Sequence, residues 1–296
     1  QIIISFLMIS ITFIMIPRAA VSVSRIAEVL DTEPVILDPD KPKDIKGKAR
    51  GRVEFRNVSF KYSGAEDYVL KDISFVAEPG KTTAFIGSTG SGKSTLVNLI
   101  PRFYDVTEGQ ILIDGIDVRE MSQHDLHEII GYVPQKGILF SGTIASNLKY
   151  GRNGATGEEI AEAAAIAQAT EFISALPEGF ESPIAQGGTN VSGGQKQRLS
   201  IARALVKKAP IFIFDDSFSA LDFKTDAALR KALKESTGDS TVLIVAQRVG
   251  TIKNADQIIV LDQGRIVGKG THSELIKSCE TYREIALSQL SEEELA

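Results

Sequence analysis

The sequence predicts an α/β fold in which short apolar strands alternate with helices, with a mostly helical insertion at roughly 140–200. Three observations carry this. Apolar runs recur at Thr82–Ile86, Ile211–Phe214 and Thr241–Ala246 and read as buried strands. Ala-rich or amphipathic stretches of helical character lie between them. The first of these strands runs directly into a glycine-rich turn that opens a helix.

Composition sets outer bounds. The chain has 296 residues, 43% of them hydrophobic and 24% charged, which excludes disorder and collagen-like repetition. Lys and Arg total 33 against 38 Asp and Glu, a net charge of −5. Without a basic run, nucleic acid is not expected as a partner, because phosphate backbones need a positive footprint. The single cysteine, Cys279, can form neither an internal disulfide nor a thiolate metal cluster. The chain starts at Gln1 rather than Met, so it is expected to be a piece of something longer.

Ile2–Ile16 is apolar except for Ser5, Ser10 and Thr12. A spanning helix needs about 20 apolar residues. Positive charge follows this run, at Arg18 and Arg25, instead of preceding it as in a signal peptide. Residues 1–30 therefore read as the C-terminal part of a transmembrane helix and its cytoplasmic extension, a buried core helix being the alternative. The extension is amphipathic, with Ile26, Val29 and Leu30 on one face, and should stop before Pro34. The Pro- and Lys-rich stretch within residues 31–50 reads as a linker. A folded domain is expected over 51–290 and a solvated tail, with Glu292 to Glu294, over 291–296.

Within the domain, Val53, Phe55, Val58 and Phe60, then Val69–Val76, carry strand patterns, and a helix should follow from Ser94 to Leu99. Thr156…Glu159 forms a capping box for an Ala/Glu-rich helix to Ala169, with more helix to Leu176 before Pro177 and Gly179 break it. Another helix should run over Gln195–Lys208. Ile258–Leu261 and Arg265–Lys269 flank an Asp-Gln-Gly turn and read as a late hairpin. No internal repeat is visible.

Gly87-Ser88-Thr89-Gly90-Ser91-Gly92-Lys93-Ser94 matches G-x-x-x-x-G-K-[ST] in full, between a strand and a helix as the motif requires. Glycines let backbone N–H groups crowd around phosphate oxygens, and the helix N-terminus adds partial positive charge. Lys93 would reach the outer phosphates of a nucleoside triphosphate, and the Ser94 hydroxyl would hold Mg²⁺. The strand Ile211–Phe214 ends in Asp215-Asp216, and Asp215 suits the same Mg²⁺. Ser192-Gly193-Gly194-Gln195 has capping-box spacing, yet two glycines in a first helical turn cost about 1 kcal/mol each relative to Ala. A helix start that accepts this cost suits close approach by phosphate, and the nucleotide concerned is expected to be one held by another subunit.

These ordered motifs resemble the nucleotide-binding domain of ATP-binding cassette (ABC) exporters, over about residues 1–290. The resemblance implies a P-loop (RecA-like) core with an antiparallel β subdomain, a helical subdomain at about 140–205, and the end of the last transmembrane helix in front. It also implies ATP and Mg²⁺ as ligands, with Thr95 joining the phosphate loop, a partner half-transporter, and a place at the cell (inner) membrane with this domain on the cytoplasmic side. Tyr62 matches the aromatic that stacks on adenine, and Gln135 the glutamine that touches Mg²⁺ and senses the membrane domains. Residues 192–195 match the signature that caps the partner's ATP, and Ser219-Ala220-Leu221-Asp222 the loop coupling two sites across a dimer.

Two positions depart from the family pattern. Asp216 stands where the family has a catalytic Glu, and Gln247 where it has His. This pair resembles the degenerate half of heterodimeric multidrug exporters. The expectation is a site that binds ATP and turns over slowly, while its signature completes the partner's competent site. An active homodimeric exporter ATPase and a regulatory nucleotide-gated module are the alternatives. His124 and His127 read as a solvated face, Lys207-Lys208 is too short for nucleic acid, and Cys279 sits in a polar C-terminal helix without a visible base.

Overall fold

The computed structural model describes residues 1–45 and 49–290. Two compact units follow one another in the chain, residues 1–37 and 38–296.

The first unit is α1 (Ile2–Leu30), one continuous helix of 29 residues. At 1.5 Å per residue it is about 44 Å long, more than the ~30 Å of a bilayer's hydrocarbon core. By length and composition it is apolar enough to cross a membrane. The interrupting hydroxyls of Ser5, Ser10 and Thr12 each donate to the carbonyl four residues earlier, so they need no solvent partner. None of its residues is buried within this chain.

The second unit begins with a segment that composition alone made a linker. Here Asp38 accepts from the Gln123 N–H at 2.9 Å, Lys43 pairs with Glu120 at 2.8 Å, and Ile45 is buried. The strands in chain order are β1 (Val53–Phe60), β2 (Leu70–Ala77), β3 (Thr82–Gly87), β4 (Glu108–Ile113), β5 (Ile116–Asp117) and β6 (Ile130–Val133). They continue with β7 (Gly142–Thr143), β8 (Pro183–Ile184), β9 (Ile211–Asp215), β10 (Thr241–Val245), β11 (Gln257–Asp262) and β12 (Arg265–Gly270). An antiparallel sheet has the order β2-β1-β4-β5, and a six-stranded sheet the order β12-β11-β3-β10-β9-β6. Within the larger sheet all pairs are parallel except the edge pair β11–β12. Its central strands β9 and β10 are buried along their whole length and mostly apolar, because both faces are covered.

One core lies between the two sheets. Phe55 stacks on Phe75 across β1–β2 with centroids 4.6 Å apart, and Phe75 meets Phe85 of β3 at 5.4 Å. The other core, with Val133, Leu199, Phe214 and Ile244, lies on the opposite face of the large sheet, under the helices.

Those helices are α2 (Lys93–Leu99), α3 (Gln123–Glu128), α4 (Ile144–Lys149), α5 (Gly157–Ile166), α6 (Thr170–Ser174) and α7 (Gly193–Val206), then α8 (Phe223–Ser236), α9 (Val249–Ile252), α10 (His272–Ser278) and α11 (Glu280–Leu287). The single helix expected to Ala169 is interrupted, because Gln168 takes a left-handed φ of 56° and separates α5 from α6. Helix α7 opens at Gly193, two residues earlier than expected, with Ser192 as its cap. Cys279 is buried at the junction of α10 and α11, not on a polar helix face. The expected tail, 291–296, lies outside the described residues.

Candidate functional site

The carboxyl ends of parallel strands are where an open α/β sheet offers a crevice. In the central strand β3, that end is Gly87, and the loop 88–92 leads into α2. Gly92 caps α2 with φ 96°, and a Cβ there would sit 2.7 Å from Leu70 Cδ2, so only glycine fits. Lys93 folds back over the loop, donating to the carbonyls of Gly87 at 2.9 Å and Ser88 at 2.7 Å. Burial lowers its ammonium pKa, while Asp216 and Asp215 pull the other way.

Asp215, at the end of β9, accepts from the Ser94 hydroxyl at 2.9 Å. Asp216 follows with a left-handed φ of 46°, a strained conformation for a non-glycine residue. Its Oδ2 accepts from Gln247 Nε2 at 2.6 Å and Gln135 Nε2 at 3.2 Å. Burial raises both carboxyls above their ordinary values. Ser94 opposes the shift at Asp215, and the two glutamine amides oppose it at Asp216. Two adjacent buried carboxylates, each penalised by desolvation and flanked by one ammonium and one hydroxyl, suit a divalent cation.

The phosphate loop with Ser94, then Gln135, Asp216 and Gln247, border one cleft of about 390 Å³, so four segments far apart in sequence converge there. Tyr62 hydrogen-bonds Thr95 through its hydroxyl at 3.0 Å and keeps part of its ring exposed, as a base-stacking platform requires.

The segment 192–195 does not line this cleft. Ser192 and Gln195 form a reciprocal capping box at 2.9 and 3.3 Å. A Cβ at Gly193 would meet nothing within 4 Å, and one at Gly194 would touch the Ala220 carbonyl at an ordinary 3.4 Å. Among the described residues nothing requires glycine at either place. The 219–222 loop lies between the two regions: Ser219 Oγ donates to the Asp216 carbonyl at 2.9 Å, and Asp222 caps α8 through the Thr225 N–H at 3.0 Å.

Two contributors had no signal in the sequence. The buried Gln197 accepts from the Gly137 N–H at 3.2 Å and donates to the Pro134 carbonyl at 3.3 Å, tying α7 to the loop that carries Gln135. Arg248 reaches the Ser219 carbonyl at 3.4 Å. Of the two histidines set aside, His127 faces the Pro101 carbonyl at 2.8 Å.

A complete lysine loop at the end of a parallel strand, with a Ser–Asp pair beside it, defines a P-loop nucleotide-binding domain. The family model described as ABC transporter matches residues 70–219, and the chain belongs to the ABC transporter family. An uncharacterized ABC transporter ATP-binding protein of Mycobacterium tuberculosis is 49% identical over 292 residues, covering 98% of this chain and 50% of its own length. A Staphylococcus aureus protein provisionally named a multidrug export ATP-binding/permease protein is 47% identical over 245 residues, 83% of this chain and 42% of itself. The solved structure of a bacterial Atm1-family ABC exporter with ATP bound superposes with a TM-score of 0.87 at 37% identity. That match covers 94% of this chain and 48% of the exporter. The chain thus spans about half the length of the relatives it matches, and its fold is that of an ABC exporter's nucleotide-binding domain.

Proposed function

We propose that this chain is the ATP-binding part of one half of a heterodimeric exporter of the multidrug or lipophile type. It belongs at the cell (inner) membrane with the nucleotide domain on the cytoplasmic side. Its own site binds ATP and hydrolyses it slowly, and residues 192–195 complete the competent site of the partner. The exporter-like fold and the multidrug name of the S. aureus relative support the class.

The geometry supports the following roles. The backbone N–H groups of residues 88–92 and the Lys93 ammonium take the phosphates, and Tyr62 takes the adenine face. Ser94, the Gln135 carbonyl oxygen and Asp215 would hold Mg²⁺, which when bound supplies positive charge between phosphate oxygens. The observation that carries the slow-site reading is the state of Asp216, whose carboxylate already accepts two amide donors. Asp is shorter than Glu by one methylene, roughly 1.5 Å. A misplacement of about 1 Å at a reacting centre can cost on the order of 10²-fold in rate. Gln247 can donate to a phosphate oxygen but cannot carry a proton's charge as imidazolium does.

Replacing the partner's catalytic Glu in the assembled pair tests the reading. Hydrolysis should fall to near background. Turnover that stays near wild type would support instead an active site at Asp216, as in a homodimeric ATPase, a reading that the raised carboxyl of Asp216 favours because it makes a better base.

A further inference from the structure

The loop 247–249 carries two side chains that reach the site: Gln247 to the Asp216 carboxylate and Arg248 to the Ser219 carbonyl. It also opens the short helix α9, whose N-cap position, Arg248, provides no side-chain cap. The first amide of that helix, on Val249, is therefore an orphan donor, and Val249 itself is buried. Its partner comes from the other end of the domain. The Val249 N–H donates to Gln289 Oε1 at 2.8 Å, and Gln289 Nε2 donates to the Gln247 carbonyl at 2.8 Å.

One carboxamide thus grips the backbone on both sides of Arg248, using its acceptor and its donor. The grip has a firm base. Helix α11 is anchored by Tyr282 and Ala286, both fully buried, and the Tyr282 hydroxyl contacts His272 Nδ1 at 2.7 Å. The Gln289 N–H continues the helical turn by donating to the Ala286 carbonyl at 3.0 Å. A groove of about 320 Å³ beside Gln289 and Arg248 is bordered by Phe223, whose ring lies 5.3 Å from the Arg248 guanidinium.

We infer that Gln289 is a positioning residue for Gln247: through its double hydrogen bond the end of α11 sets where the Gln247 amide sits relative to Asp216 and bound nucleotide. The inference rests on the reading of Gln247 as a group at the ATP site. It gives the far C-terminal helix a direct mechanical connection to that site, since any displacement of Gln289 must either release the 247–249 backbone or carry it along.

The test uses the full-length protein that contains this chain and three forms of residue 289: wild type, Gln289→Met and Gln289→Glu. Methionine keeps the length and volume but neither hydrogen bond; glutamate keeps the acceptor for Val249 and loses the donor to Gln247. Amide hydrogen exchange is read over 247–252 and affinity with a fluorescent ATP analogue. The clamp predicts exchange at Val249 roughly tenfold faster in the Met form, the worth of one ordinary hydrogen bond, and near wild type in the Glu form. Both variants should bind the analogue several-fold more weakly, with thermal stability little changed.

Equal exchange in the Met form and wild type overturns the clamp, because a role in packing alone is satisfied by methionine. Faster exchange with unchanged analogue affinity upholds the clamp and overturns the assignment of Gln247 to the nucleotide.

Discussion

The side-chain amide of Gln247 donates to the carboxylate of Asp216 at 2.6 Å, closing the nucleotide cleft from the β10 side while Gln135 closes it at 3.2 Å from the loop after β6. Two neutral carboxamides therefore occupy the Asp216 carboxylate. On the proposed reading, this holds a nucleotide still rather than cleaving it.

Restoring the family's pair should reverse that. Asp216→Glu with Gln247→His is expected to raise turnover at this site by on the order of ten- to a hundredfold. Each single change should give less than its share, because the two side chains are in contact. Site-resolved hydrolysis in the assembled pair measures it, and no gain over the parent would count against geometry as the cause.

Asp215 and Asp216 also make a pH prediction. Burial raises both carboxyls, so the folded chain binds more protons than the unfolded one from the ordinary carboxylate range up to the raised values. Their contribution to stability therefore falls as pH rises through that window. Asp215→Asn should raise the neutral-pH melting temperature of the nucleotide-free protein while weakening Mg²⁺-dependent nucleotide binding. Melting curves with and without Mg²⁺–ATP separate the two effects.

Two glycines of the phosphate loop should respond differently. At Gly92 a Cβ meets Leu70 as well as paying for its positive φ, so Gly92→Ala should cost about 2–5 kcal/mol of stability. Gly90 has a similar φ of 82° but open space around it, so Gly90→Ala should cost about 1–2 kcal/mol and act mainly on nucleotide affinity. Denaturant unfolding beside nucleotide titration distinguishes them.

The start of α7 supports the reverse experiment. Gly193→Ala and Gly194→Ala place methyl groups where the chain has room, and alanine is favoured in a helix by about 1 kcal/mol. Each should stabilise the protein slightly and lower hydrolysis in the assembled pair. A stabilised variant with full activity would mean that nothing approaches these glycines.

How much of this was legible beforehand depended on sequence distance. The loop 87–94 and the Ser192 cap are local patterns whose geometry is set within a few residues, and both stand where the residues implied. Asp216 and Gln247 stand out in the sequence as departures from the family pattern, but their hydrogen bond depends on β9 and β10 lying side by side, which no local pattern encodes. Gln289 gave no signal, since a surface glutamine near a helix end is ordinary until the 247–249 backbone is packed beside it. The Pro- and Lys-rich segment before β1 misled composition, because a few side-chain pairings such as Lys43 with Glu120 fasten it to the second unit. Gln168 broke a helix that alanine content favoured, a turn set by one residue's φ.

On the proposed reading, this chain's pocket grips ATP while seldom cleaving it. The most direct measurement is photo-crosslinking of α-labelled azido-ATP to the assembled transporter during turnover, followed by identifying the nucleotide attached to this chain. ATP, persisting through many cycles of the pair, is the predicted result. ADP accumulating on this chain at the pace of overall hydrolysis would contradict it.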